Sequence, residues 1–292
     1  MKNILWVCCF MILLPLVSRA QMKNTVSEVR EYKEVDGKII ITCLVNSVEA
    51  DFVLDLAGQT AILPEYVEKF NIDTTEKAKI PYDCFQYKNI PTFRSVSLNS
   101  ISFGNNAFAN GLGAFVLKDE PYLRELGVAG IVGGAIFQRV VLTIDSQRKK
   151  LTMSQPYRPS YMKLTNRANA QLLQGVGMEC PITIDGVTFS CMLDTWNKGL
   201  VELNATDFAR LTGTAGKNVQ VYAGYGKTLV MVPAKVVGQC DFVRMAFKDV
   251  SIAENKSLIR SVIGTEILKH GLLSVDFLRQ TIYFQPFDEV TV

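Results

Sequence analysis

Two aspartates stand where apolar runs break into loops: Asp55 in Phe52-Val-Leu-Asp-Leu-Ala-Gly58, and Asp194 in Cys191-Met-Leu-Asp-Thr-Trp-Asn-Lys-Gly199. Two carboxyls brought within hydrogen-bonding reach cannot both ionise cheaply, so such a pair holds one proton over a broad acidic to neutral range. The ionised member can take a proton from a bound water while the other polarises a carbonyl, which is general acid and base chemistry with no covalent intermediate. Competing chemistries are thinly supplied. The chain has one histidine, His270, too few for a histidine metal cluster, and it follows Ile267-Leu-Lys269 at an expected helix end. Gly133-Gly134 lacks the Lys and Ser or Thr of a phosphate loop. No metal and no cofactor is expected.

The elements that must position these aspartates recur in one order. A hairpin comes first: Lys38 to Val45, a turn at Asn46-Ser47, then Val48 to Leu54; its counterpart runs from Met178 to Ile184, turns at Asp185-Gly186 and continues from Val187 to Leu193. Both have strand composition. Each hairpin feeds an aspartate corner. A short helix follows, opened by Pro64 in one copy and by Asn204 as a cap in the other. Last, Gly130-Ile-Val-Gly133 onward to Asp145 lies over Ser261-Val-Ile-Gly264 onward to Asp276 without a gap. Asp145 and Asp276 each begin a turn into a closing strand and are read as turn formers.

At 292 residues, 48% apolar and 20% charged, the chain is ordinary globular material with room for two cores. Residues 1–20 have the anatomy of a cleaved export signal: Lys2, an apolar run from Ile4 to Val17, then Ser18-Arg19-Ala20. Cleavage near Ala20 predicts an exported protein, periplasmic or secreted, with no membrane span in the mature chain. Without Lys2 and Arg19 the net charge falls from +3 to +1, which recruits neither nucleic acid nor an anionic membrane. Five cysteines remain. Counting outward from Asp185-Gly186 sets Cys180 opposite Cys191, as a bridge or as two buried thiols. The boundaries read as 30–155 for the first lobe, 156–175 for a Pro-containing connection and 176–292 for the second lobe.

The order of these landmarks, from about Tyr32 to Phe284, resembles the pepsin and retropepsin-like aspartic proteases, with the motif set present twice in one chain. The resemblance implies a mainly β, two-lobed acid-protease fold built by internal duplication. It also implies peptide hydrolysis by an Asp55/Asp194 dyad on a peptide or protein bound in extended form. Gly133 and Gly264 become supports of the active-site loops, together with Gly58, Thr195 and Trp196. Flaps are expected at Cys84 to Lys88, with Tyr87, and at Ala223 to Lys227, with Tyr225. The family's Asp-Thr/Ser-Gly is altered in both copies, to Asp55-Leu56-Ala57 and Asp194-Thr195-Trp196. Only Thr195 can supply the hydroxyl grip between loops, and Trp196 must fill the cleft or force a different turn, which Asn197 and Gly199 could support because both tolerate positive φ. These departures support a second reading, a pseudo-protease that binds a peptide or partner without cutting it.

Overall fold

The computed structural model describes residues 25–75, 94–118, 120–173, 177–224 and 228–289, and among these the chain is mainly β. The first half contributes β1 (Val26–Glu31), β2 (Lys33–Val35), β3 (Lys38–Val45), β4 (Val48–Asp55), β5 (Ala61–Ile62), β6 (Arg94–Phe103), β7 (Ala107–Val116), β8 (Gly130–Gly133), β9 (Val141–Asp145) and β10 (Lys150–Gln155). Two strands follow in the connecting stretch, β11 (Arg167–Asn169) and β12 (Gln171–Leu173). The second half adds β13 (Gly177–Ile184), β14 (Val187–Leu193), β15 (Val201–Leu203), β16 (Thr214–Ala215), β17 (Val219–Tyr222), β18 (Leu229–Val232), β19 (Ala234–Phe242), β20 (Met245–Glu254), β21 (Val262–Ile263), β22 (Gly271–Asp276) and β23 (Thr281–Pro286). Three short helices are α1 (Glu65–Lys69), α2 (Pro121–Glu125) and α3 (Ala205–Arg210).

The duplication is explicit in the strand order. One barrel runs β3-β4-β8-β5-β7-β6 and closes through β3–β6; the other runs β13-β14-β21-β15-β20-β19 and closes through β13–β19. Position for position these are the same six strands. Both hairpins turn through residues of positive φ, Asn46 and Ser47 in one and Asp185 and Gly186 in the other, the backbone sense that matches strand twist. In each, the first turn side chain ties down the closing strand: Asn46 Oδ1 accepts from Ser100 N, and Asp185 Oδ1 accepts from Gln239 N. Cys180 does face Cys191 in the β13–β14 ladder, and both are buried free thiols.

A six-stranded sheet, β1-β10-β9-β22-β23-β11, joins the lobes. At its centre β9 pairs antiparallel with β22, with Thr143 opposite Ser274 and Ile144 and Leu142 opposite Leu273 and Val275. Thr143 and Ser274 are themselves equivalent positions of the repeat, so the pseudo-twofold axis passes through their buried hydroxyl contact of 2.6 Å. The connecting stretch is not a free linker, because β11 extends this sheet beside β23 and β12 pairs with β13.

In each barrel the strand leading to the aspartate runs parallel to a short strand leading to a glycine: Asp55 lies beside Gly133 in the β4–β8 pair, and Leu193 beside Ile263 in the β14–β21 pair, one residue ahead of Asp194 and Gly264. The glycines are required there by close approach. A Cβ on Gly133 would lie 2.3 Å from the Gly58 carbonyl oxygen, and one on Gly264 would lie 2.3 Å from that of Gly199. The expected helices after these glycines are 3-10 turns, Gly134–Phe137 and Thr265–Lys269, and His270 ends the second.

Gly264→Ala is expected to destabilise the protein by at least about 2 kcal/mol, since backbone must move to admit the methyl. Gly224→Ala, with nothing within 4 Å of the added carbon, is expected to be near neutral. Urea unfolding of the two variants against wild type checks the contrast.

Candidate active site

Each aspartate corner is built by its own backbone. Asp55 Oδ1 accepts from Ala57 N at 3.0 Å, and Asp194 Oδ1 accepts from Trp196 N at 2.7 Å, the same bond two residues on in both copies. Replacing the motif glycines has therefore left the loop backbone bonded to the carboxylates and changed what the side chains fill. The surviving hydroxyl does its expected work. Thr195 Oγ1 donates to Leu54 O at 2.7 Å and accepts from Leu56 N at 3.1 Å, crossing from the second lobe to the first. Leu56, in place of the other hydroxyl, is buried in the main core.

Neither Asn197 nor Gly199 takes a positive φ. The turn is held by hydrogen bonds: Asn197 N donates to Asp194 Oδ1 at 3.1 Å, Asn197 Nδ2 donates to Asp194 Oδ2 at 2.7 Å, and the Asn197 carbonyl accepts from Thr265 N at 2.8 Å. Gly133 lies against the Gly58 carbonyl of the first aspartate loop, and Gly264 against the Gly199 carbonyl of the second. Asp145 and Asp276 are turn formers: their carboxylates accept from the backbone N–H and guanidinium of Arg148 and Arg279 respectively. Tyr87 and Tyr225, the flap candidates, lie outside the described residues, as do residues 1–24 and Cys84.

Trp196 decides the site. Its side chain is 0% exposed and packs edge-on against Tyr122 of the first lobe and Tyr222 of the second, at centroid distances of 6.0 and 6.1 Å. These rings belong to an apolar cluster that crosses between lobes, with Ile40, Val53 and Ala57 on one side and Met192 and Leu258 on the other. The two aspartates beneath are 1% and 2% exposed. A neighbouring cavity of about 240 Å³ is lined by Gly37, Ile39, Lys198 and Thr265 among others, and neither aspartate reaches it.

Sequence reasoning missed Lys38. It is 0% exposed, donates to the Trp196 carbonyl, and sets its ammonium 3.7 Å from the Tyr222 ring centroid and 4.1 Å from that of Trp196. Contacts of this kind, when desolvated, contribute about 2 kcal/mol each. Burial pushes the Lys38 ammonium down to about 7, opposed by the charges of Asp194 and Asp55. Burial also raises the Asp194 carboxyl above its ordinary range, against the pull of its N–H donors and of Lys38.

Glu202, on β15, is a third buried carboxyl. Burial raises it to about 7, with the Asn255 hydrogen bond opposing and the Asp194 charge adding. Asn255 Nδ2 donates to Glu202 Oε2 at 2.8 Å and also to the Tyr222 carbonyl. At the rim, Asp36 accepts from Tyr122 Oη at 2.6 Å and from Lys198 Nζ at 2.9 Å, closing the β2–β3 turn onto the Trp196 loop. The available signals were faint: Lys38 follows an Asp-Gly turn as a surface lysine would, and Glu202 is one polar residue in Val-Glu-Leu.

No family model and no curated protein matches the sequence. Among solved structures, a retropepsin-like aspartic protease from Rickettsia conorii is similar, with a TM-score of 0.32 and 20% identity over 46% of this chain and 96% of that one. The mainly β architecture of two closed six-stranded barrels resembles the two-lobed retropepsin-like fold.

Thr195→Val keeps the volume of the side chain and strands the Leu54 carbonyl and Leu56 N–H in a buried interface. An expected loss of about 1–3 kcal/mol, seen as a lower urea midpoint at an unchanged slope, checks that this hydroxyl bonds the lobes together.

Proposed function

We propose that this protein is an exported, catalytically silent relative of the aspartic peptidases, in which the Asp55/Asp194 pair has become a structural junction between lobes. A peptide or protein partner gains the inter-lobe cleft only by displacing Trp196. The observation that carries this reading is the complete burial of the indole between Tyr122 and Tyr222, in a loop whose backbone N–H bonds Asp194, with both carboxyls themselves sealed from solvent. Hydrolysis requires water and a peptide carbonyl at the carboxyls. In this arrangement the ammonium of Lys38 and the ring of Trp196 occupy their surroundings instead.

A peptidase reading keeps one observation in its favour: both corners retain the backbone N–H bond to the carboxylate and the Thr195 grip. The two separate in one assay. The chain from Gln21 onward is offered a mixed peptide library between about pH 3 and pH 7, the range in which a proton-sharing carboxyl pair works. The silent reading expects no cleavage beyond that of Asp55→Asn and Asp194→Asn. Cleavage abolished by both substitutions would establish a peptidase whose Trp196 swings aside.

A further inference from the structure

The buried junction contains more acid than base. Lys38 on β3 lies within electrostatic reach of Asp55 at the end of β4, Asp194 after β14 and Glu202 on β15, while its ammonium is seated on the Trp196 carbonyl and the Trp196 and Tyr222 rings. The remaining charged and titratable groups around the indole are Tyr122 after the β7 strand, Tyr222 on β17, and the rim pair Asp36–Lys198, whose charges cancel each other at the surface. One ammonium against three carboxylates would leave a sealed site with two uncompensated negative charges, which desolvation forbids. At least one carboxyl must therefore take a proton when the site closes.

The hydrogen bonds indicate which. Asp194 accepts from three N–H donors, the backbone of Trp196 and Asn197 and the Asn197 amide, all of which favour its ionised form. Glu202 accepts from the Asn255 amide and shares its surroundings with the Asp194 charge. Of these two, Glu202 has the fewer donors to hold its ionised form.

We propose that closure of Trp196 over the aspartates is proton-linked, with Glu202 taking a proton from solvent as the plug seats, so that the plug loosens as the pH rises through the mildly acidic range toward neutrality. This rests on the reading of Trp196 as a plug. A carboxyl that holds its proton more tightly in the closed state favours closure below the pH at which it would ionise in water, and that preference is lost as the pH rises through its closed-state value near 7. Lys38 works oppositely but above neutrality, where its ammonium discharges in the closed state first, so the sign is set on the acid side by the carboxyls.

The chain carries two tryptophans, and Trp6 lies in the residues ahead of Gln21, so from Gln21 onward Trp196 is the sole reporter. Acrylamide quenching of its fluorescence, measured from about pH 4.5 to about pH 7 at constant ionic strength, is expected to rise severalfold. Glu202→Gln retains an oxygen for the Asn255 amide and cannot ionise; it is expected to flatten that rise. An indole shielded equally at every pH would overturn the proton link and leave the plug intact, whereas an indole readily quenched even at about pH 4.5 would overturn the plug itself. A rise in Glu202→Gln equal to that of wild type would overturn the assignment to Glu202, and if that variant does not fold the wild-type profile alone decides the link.

Discussion

A carboxylate taken out of water must be met by donors or by charge, and this protein takes Asp55 and Asp194 out of water where its two aspartate loops meet across the lobes. The rest of the junction follows from that demand. Backbone N–H groups two residues on meet both carboxylates, the Asn197 amide meets one of them again, and Lys38 brings the only buried ammonium among the described residues to the pair. Thr195 then joins the two loops so that neither can shift without the other. Buried ion clusters of this kind contribute little net stability compared with apolar packing, but removing one member is costly. The aspartates are therefore retained by their surroundings whether or not they do chemistry.

The barrels supply the precision. Because Gly133 and Gly264 sit against the Gly58 and Gly199 carbonyls, each corner is pressed into its barrel at backbone contact, and the β9–β22 pairing about Thr143 and Ser274 fixes one barrel against the other. The site geometry is thus a property of the strand order, and it survives substitution of the motif's middle and last residues. The substituted side chains alter only what the cleft contains. Ala57 adds a methyl that the inter-lobe cluster absorbs, and Trp196 adds a ring large enough to fill the space between Tyr122 and Tyr222.

Much of this was legible in the sequence because duplication writes every constraint twice. The hairpin turns, the paired glycines and the turn role of Asp145 and Asp276 all fall at matching positions, and a feature present in both copies needs no tertiary knowledge to be trusted. What could not be read belonged to one copy only. Lys38 sits on the opening strand position of the first lobe, and nothing local marks it for burial; the indole and phenol rings that cover it come from residues 196 and 222. Glu202 is buried on β15 of the second barrel, where the Asn255 amide meets its carboxyl. The Trp196 turn uses no positive φ at Asn197 or Gly199, because the Asn197 side chain and the Thr265 N–H hold it by hydrogen bonds, which a tolerance for left-handed backbone cannot anticipate.

Asp55 and Asp194, like the indole of Trp196, are sealed from solvent in the folded protein. Carbodiimide-driven amidation of surface carboxyls, read residue by residue in peptides by mass spectrometry, tests it directly. The account predicts that exposed carboxylates such as Glu65 are modified while Asp55 and Asp194 remain unmodified until the protein is unfolded. Rapid modification of either aspartate in the folded protein would contradict it and would return the cleft to an open, solvent-filled state.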